Sequence, residues 1–185
     1  MFPRCPQMSH TVSEAISLIL EEVRNAAGAV KPESVKALGD AALSAQAVFV
    51  AGEGRSGLVA KCLAMRLMHL GLETHVVGEA VTPAFSADDL LIVFSGSGET
   101  AAACTIARAA KEQGGKVATV TTGAGSSLGA LADVTVVIPV GQSLQFGGSL
   151  FEQAALLVCD SLTLILQQRL GQSETDMRSR HATLE

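Results

Sequence analysis

Three short stretches of the chain are rich in glycine, serine and threonine: Gly52-Glu-Gly-Arg-Ser-Gly57, Ser95-Gly-Ser-Gly-Glu-Thr100 and Thr121-Thr-Gly-Ala-Gly-Ser-Ser127. Residues of these types can grip a phosphate monoester. Glycine lets the main chain come close and turn its N–H groups inward, and a following helix adds about half a positive charge at its N-terminus. In the second stretch the hydroxyls of Ser95, Ser97 and Thr100 alternate with Gly96 and Gly98 at offsets that wrap one anion. Arg55 and Ser56 stand in the first stretch, where a cation can face that anion; a solvated loop charge is the plainer alternative for Arg55. Glu99 is counted with the phosphate-binding loop around it; an acid that favours the first turn of a helix against the dipole is the plainer alternative. A tight loop whose Ser or Thr caps the next helix is the alternative for residues 95–100 as a whole.

Glu152 is the candidate proton carrier. It lies in Gly147-Gly-Ser-Leu-Phe-Glu152, at the entrance to a long apolar segment. Ser149-x-x-Glu152 also spells a capping box, so helix capping competes with chemistry here. His181 falls in a polar tail and is exposed by default; His69 and His75 flank Gly71 and read as structural, and His10 as disordered or at a helix start. Asp160, inside the long apolar segment, is expected to pair with a polar group in the core or an interface. Cys5, Cys62, Cys104 and Cys159 stand alone, without a C-x-x-C pair, so reduced, buried thiols are expected and no metal cluster. Gly52-x-Gly-x-x-Gly57 formally completes a dinucleotide fingerprint. The acid expected about 20 residues on would be Glu73 or Glu79, and neither falls at the end of the second strand.

The elements that must position these groups are legible as alternating patterns. Five short, β-branched apolar runs at 47–51, 74–77, 90–94, 116–121 and 134–139 lack strict alternation, as parallel strands covered on both faces do. Helical patterns fill the gaps: 56–70 before Gly71, 99–113 before Gly114-Gly115, a short one at 126–132, and a long one at 149–170 before Gly171. Two helices open the chain. Thr11-Val-Ser-Glu14 is a capping box followed by Val12, Ile16, Leu20 and Val23 on one face, and Pro32 suits the first position of a helix over 34–45. Ser173-x-x-Asp176 is a further start signal. The prediction is an α/β three-layer sandwich with a five-stranded parallel sheet, flavodoxin-like or Rossmann-like. It is one domain over 1–185, with N-terminal helices in 1–45, a long C-terminal helix and a tail at 172–185. Ligands bind beyond the carboxyl ends of such strands, and the three glycine-rich stretches follow the first, third and fourth.

Composition excludes several classes. At 48% hydrophobic and 17% charged, the chain is too apolar for disorder. No run approaches the ~20 apolar residues of a membrane span; 154–166 is short and holds Asp160. The first ten residues contain no apolar leader run, so a cytoplasmic location is expected. Thirteen Lys and Arg against eighteen Asp and Glu give a net charge of −5, and Trp and Tyr are absent. A nucleic-acid partner, which wants a basic stripe and stacking aromatics, is therefore not expected. Segments 58–70 and 151–166 are apolar nearly all round, more than a domain of this size can enclose, which predicts a homo-oligomer.

The three glycine-rich stretches together resemble a sugar isomerase (SIS) domain. More narrowly, GRSGLVAK (54–61), MRLMHLG (65–71), Ser149-Leu-Phe-Glu152 and Arg180-His-Ala-Thr-Leu-Glu185 resemble the 6-phospho-3-hexuloisomerase family. The likeness covers nearly all of the chain beyond its first ten residues. It departs at Gln142-Ser-Leu-Gln-Phe-Gly-Gly148, where a Pro- or Met-containing approach is expected, and at Thr183, where Asn is expected. The resemblance implies the interconversion of D-arabino-hex-3-ulose 6-phosphate and fructose 6-phosphate, in the ribulose monophosphate pathway of formaldehyde fixation. It implies phosphate contacts from Ser56, Ser95, Ser97 and Thr100 with the loop amides, Glu152 as the base, and His181 reaching the site from its own or another subunit of a tetramer. No cofactor is implied. A non-catalytic sugar-phosphate-sensing SIS module and an aldose–ketose phosphosugar isomerase are the competing functions.

Overall fold

In the computed structural model, which describes residues 11–184, the five apolar runs pair as one parallel sheet of order β2-β1-β3-β4-β5. The strands are β1 (Val48–Gly52), β2 (Thr74–Val76), β3 (Leu90–Phe94), β4 (Lys116–Thr121) and β5 (Val134–Val137). The expectations for Cys5, His10 and the leader-free start lie outside the described residues. Between β1 and β3 the strand order reverses, and Gly52 lies opposite Phe94 in register. The turns after these two strands therefore leave the sheet side by side, at the crevice where open α/β sheets bind ligands.

Among the described residues, seven helices surround the sheet: α1 (Val12–Gly28), α2 (Pro32–Ser44), α3 (Gly54–His69), α4 (Ala101–Glu112), α5 (Ser127–Leu131), α6 (Ser149–Leu170) and α7 (Glu174–Ser179). Strand side chains alternate between two buried clusters. Val48, Val50, Leu90, Ile92 and Phe94 join α1, α2, α3 and α6 on one face. Phe49, Ala51, Leu91 and Val93 join α4 and α5 on the other. Each fully buried Leu, Ile, Val or Phe contributes roughly 1.5–3 kcal/mol of transfer free energy, and these two clusters hold the frame of the crevice rigid. The capping boxes at Thr11 and Ser173 form as the sequence predicts, Pro32 opens α2, and Gly171 ends α6 at φ +61°.

Some expectations change. Helix α3 starts at Gly54, so Arg55 and Ser56 belong to its first turn rather than to a loop. Helix α4 starts only at Ala101, because the preceding residues are tied to the segment after β4. Val12, Ile16 and Leu20 of α1 are exposed, and it is Val23 and Ala26 that pack inward. Asp160 is exposed, which removes the core alternative for it but not the interface one, and Cys62 is exposed whereas Cys104 and Cys159 are buried. Burial pushes the Cys159 thiol up, with the Asp160 carboxylate adding to it. By length and composition α6 is apolar enough to cross a membrane, but half of that stretch is buried inside the fold, where α6 packs along α1 and α3. The exposed side of α6 carries Leu157, Leu164 and Ile165, and that of α3 carries Leu58, Met65 and Met68.

Candidate active site

The turn after β3 is held together by its own hydrogen bonds and by the segment after β4. Ser95 is buried; its Oγ accepts from the Gly98 N–H at 3.1 Å and lies 3.1 Å from Thr100 Oγ1. The segment after β4 grips the carbonyls: Thr122 Oγ1 and Thr122 N–H both donate to Gly96 O, and Leu128 N–H donates to Gly98 O. The Glu99 carboxylate accepts from Ser127 N–H at 2.8 Å and Ser127 Oγ at 2.6 Å, which holds its carboxyl below the usual range. Glu99 is thus a brace between two loops rather than an arm toward a ligand. Among the described residues, the N–H groups of Gly96, Ser97 and Thr100 donate to nothing, and no side chain caps α3 or α4. Free amides, nearby hydroxyls and two uncapped helix ends can bind one phosphate.

Two glycines enforce this shape. Gly98 has φ +66°, and a Cβ there would fall 2.1 Å from Ser126 Oγ. A Cβ on Gly57 would fall 2.4 Å from the carbonyl oxygen of Gly52, so α3 can leave β1 this tightly only without a side chain at that point.

Where α6 begins takes Glu152 out of a capping role. Its N-cap is Gly148, and Ser149 is already helical, turning its Oγ back to the Phe146 carbonyl at 2.8 Å. No capping box forms. The Glu152 carboxylate, with its side chain only 12% exposed, instead accepts from Arg55 Nε at 2.5 Å. Phe151 beside it packs on the turn after β3, since a Cβ at Gly96 would lie 3.3 Å from its ring. One carboxylate and one guanidinium therefore stand at the mouth of the crevice, next to the candidate phosphate turn. Arg55 is 61% exposed, whereas the acid is largely enclosed.

His181 is not brought to this pair within the chain. It stacks on buried His69, with ring centroids 5.1 Å apart and planes 13° apart. His69 ends α3, whose first turn holds Arg55, so one helix of about 1.5 Å per residue separates the two places by more than 20 Å. Arg180 fixes the tail there by donating to His69 O at 3.0 Å, Gln172 Oε1 at 2.9 Å and Asp176 O at 3.2 Å. Burial holds the His69 imidazole below its usual range, and the His181 and Arg66 charges add to this. The acids weighed for a dinucleotide ribose are engaged elsewhere, Glu73 with His75 and Glu79 with Lys61. Among the described residues, no group of three or more His, Cys, Asp and Glu side chains comes together as a metal site would require.

Residues 43–164, from the end of α2 well into α6, match the SIS domain. The chain belongs to the SIS domain family. This SIS domain is 42% identical to the 3-hexulose-6-phosphate isomerase of Mycobacterium gastri, over 94% of this chain and 92% of that one. It is 41% identical to the 3-hexulose-6-phosphate isomerase of Bacillus subtilis, over 94% and 98%. The crystal structure of a hypothetical protein from Methanococcus jannaschii, described as inferring a 3-hexulose-6-phosphate isomerase function, aligns with a TM-score of 0.85 at 32% identity, covering 93% of this chain and 99% of that one. Among SIS domains, the chain falls with the 3-hexulose-6-phosphate isomerases. Two features of the site were missed by sequence reasoning. The threonines after β4 serve as a brace, and Glu22 of α1 holds the loop leading to Glu152; only the hydroxyl-rich composition of the first hinted at its role.

Proposed function

We propose that this SIS domain interconverts D-arabino-hex-3-ulose 6-phosphate and fructose 6-phosphate, with Glu152 moving the proton. The observation that carries the reading is the placement of Glu152: freed from capping, paired with Arg55 and set beside the turn after β3. The phosphate is held by the amides of Gly96 and Ser97 with the hydroxyls of Ser95, Ser97, Thr100 and Ser56, which puts carbons 2 and 3 of the sugar toward α6. Glu152 takes the proton from C2, a 2,3-enediolate forms, and the same carboxyl returns the proton to C3. The proton of the C2 hydroxyl meanwhile passes to the C3 oxygen. Arg55, drawn from Glu152 toward the substrate, stabilises the negative enediolate oxygens through its charge.

His181 supplies the second proton exchange at the oxygens from a neighbouring subunit. The in-chain separation motivates that arrangement, and the exposed apolar residues of α1, α3 and α6 offer the surface for a homotetramer. In this reading the chain works in the cytoplasm, in the ribulose monophosphate pathway. The test feeds hexulose 6-phosphate to the purified protein and reads fructose 6-phosphate through phosphoglucose isomerase and glucose-6-phosphate dehydrogenase. Turnover by the wild type, with a ~10²–10⁴-fold loss of kcat in Glu152→Gln, is the expected result. A Glu152→Gln variant with more than about a tenth of wild-type kcat removes the base assignment.

A further inference from the structure

We propose that Glu22 is a positioning residue for this reaction: it straps residues 139–148 to α1 and thereby fixes the place from which Glu152 works. This rests on Glu152 being the base. After the Ile138 N–H donates to Thr121 O at 2.8 Å, the chain crosses to α6 without helix or strand. Among the described residues, every hydrogen bond joining 139–148 to anything other than itself and α6 ends on the Glu22 carboxylate. Ser143 Oγ and Gln145 Nε2 donate to Oε2 at 2.8 and 2.9 Å, and Leu144 N–H donates to Oε1 at 3.1 Å.

Three donors on one carboxylate make a directed clamp, because an ionised acid offers acceptor sites on both oxygens and charge-assisted bonds are the stronger kind. The bonds from Gln145, then Ser143, hold the Glu22 carboxyl below its usual range, so it stays charged at neutral pH. Apolar burial contributes little to holding the tip, since Leu144 is exposed and Phe146 is 95% exposed. The far end of the loop reaches the base. Gly147 turns at φ +62°, Gly148 caps α6, and a Cβ on Gly148 would lie 3.2 Å from Glu152 Oε1. A loop released from Glu22 shifts the start of α6 and the carboxylate with it, while the phosphate turn, braced by Glu99 and Thr122, stays in place.

The test compares Glu22→Ala, Glu22→Gln and Glu152→Gln in the full chain. Glu22→Ala is expected to lower kcat roughly 10–100-fold, the scale of an ångström-level misplacement. The inhibition constant of glucitol 6-phosphate, which binds but cannot isomerise, should change less than about threefold if the phosphate turn is untouched. Amide exchange over 140–148 should accelerate, and Glu22→Gln, which keeps one carbonyl acceptor, should recover part of kcat. Should Glu22→Ala not fold, the Ser143→Ala/Gln145→Ala pair removes two of the three donors from the other side and is expected to lower kcat in the same direction. Wild-type kcat in Glu22→Ala with an inactive Glu152→Gln overturns the strap, as does unchanged exchange over 140–148. An active Glu152→Gln beside an impaired Glu22→Ala overturns the base assignment instead.

Discussion

Arg55 Nε and Glu152 Oε2 lie 2.5 Å apart across 97 positions of sequence, joining the first turn of α3 to the first turn of α6. The guanidinium is mostly in solvent, so the pair adds little to stability, within the ~0–1 kcal/mol usual for such ion pairs. Its worth is positional. Replacing Arg55 with Ala is expected to leave the melting temperature nearly unchanged and to lower kcat/KM by about 10–100-fold, as for loss of one charge that stabilises the enediolate. Arg55→Lys should recover only part, because a point charge does not reproduce the guanidinium fork. Steady-state kinetics beside thermal unfolding checks both halves.

Gly98→Ala tests the turn after β3. The positive φ costs a non-glycine residue about 1–2 kcal/mol, and the new Cβ would collide with Ser126 Oγ at 2.1 Å. The collision pushes the turn away from the segment after β4, and the strained φ adds to the cost. The expected outcome is a lower melting temperature together with weaker binding of inorganic phosphate and of sugar phosphate, measured by calorimetry. Unchanged phosphate affinity would place the anion elsewhere.

The Glu99 brace makes the same turn sensitive to acid. Ser127 holds the Glu99 carboxyl below the reference value of 4.5, so the folded state binds fewer protons than the unfolded one near that pH. The stabilisation is present above about pH 4.5 and is lost as pH falls through the lowered folded value. Denaturant titrations of the wild type and Glu99→Gln across about pH 6 to 3 are expected to differ most at the upper end and to converge at the lower.

His69 carries a second pH dependence of different sign in charge. Burial lowers the pKa of its imidazole in the folded chain, so the unfolded chain takes up more protons below about pH 6.5. Stability is therefore largest above that pH and falls as acid drives a proton into the His69–His181 stack. Comparing wild type with His69→Asn from about pH 8 to 5.5 is expected to show the wild type losing more. Proteolysis at the tail, followed over the same range, should accelerate in parallel, and Arg180→Ala should make it fast at every pH.

The frame was open to sequence reading because its signals are local. β-Branched runs, Pro32, Gly71, Gly114 and Gly171 each act on their own neighbourhood, and the strands fell within a residue or two of the observed bounds. The site was less open for the opposite reason. Whether Glu152 caps a helix or faces a crevice depends on Gly148 taking the cap and Arg55 arriving from another helix. Glu22 gave no signal at all, since an acid on an amphipathic helix looks like ordinary solvated charge until a distant loop folds onto it. The exposure of Val12, Ile16 and Leu20 was likewise hidden, because periodicity reports an apolar face but not what covers it.

Helix α3 bears Arg55 at one end and, at the other, the His69 carbonyl on which Arg180 seats the tail. If each chain lends its tail to a neighbour, two individually dead variants hold complementary halves of the machinery. Co-expressed Glu152→Gln and a chain lacking residues 180–185 should then regain measurable turnover in mixed assemblies, through centres pairing an intact carboxylate with a borrowed imidazole. A rod of fixed length inside one subunit would in this way make the enzyme's chemistry a property of the ensemble, and visible to genetics as interallelic rescue.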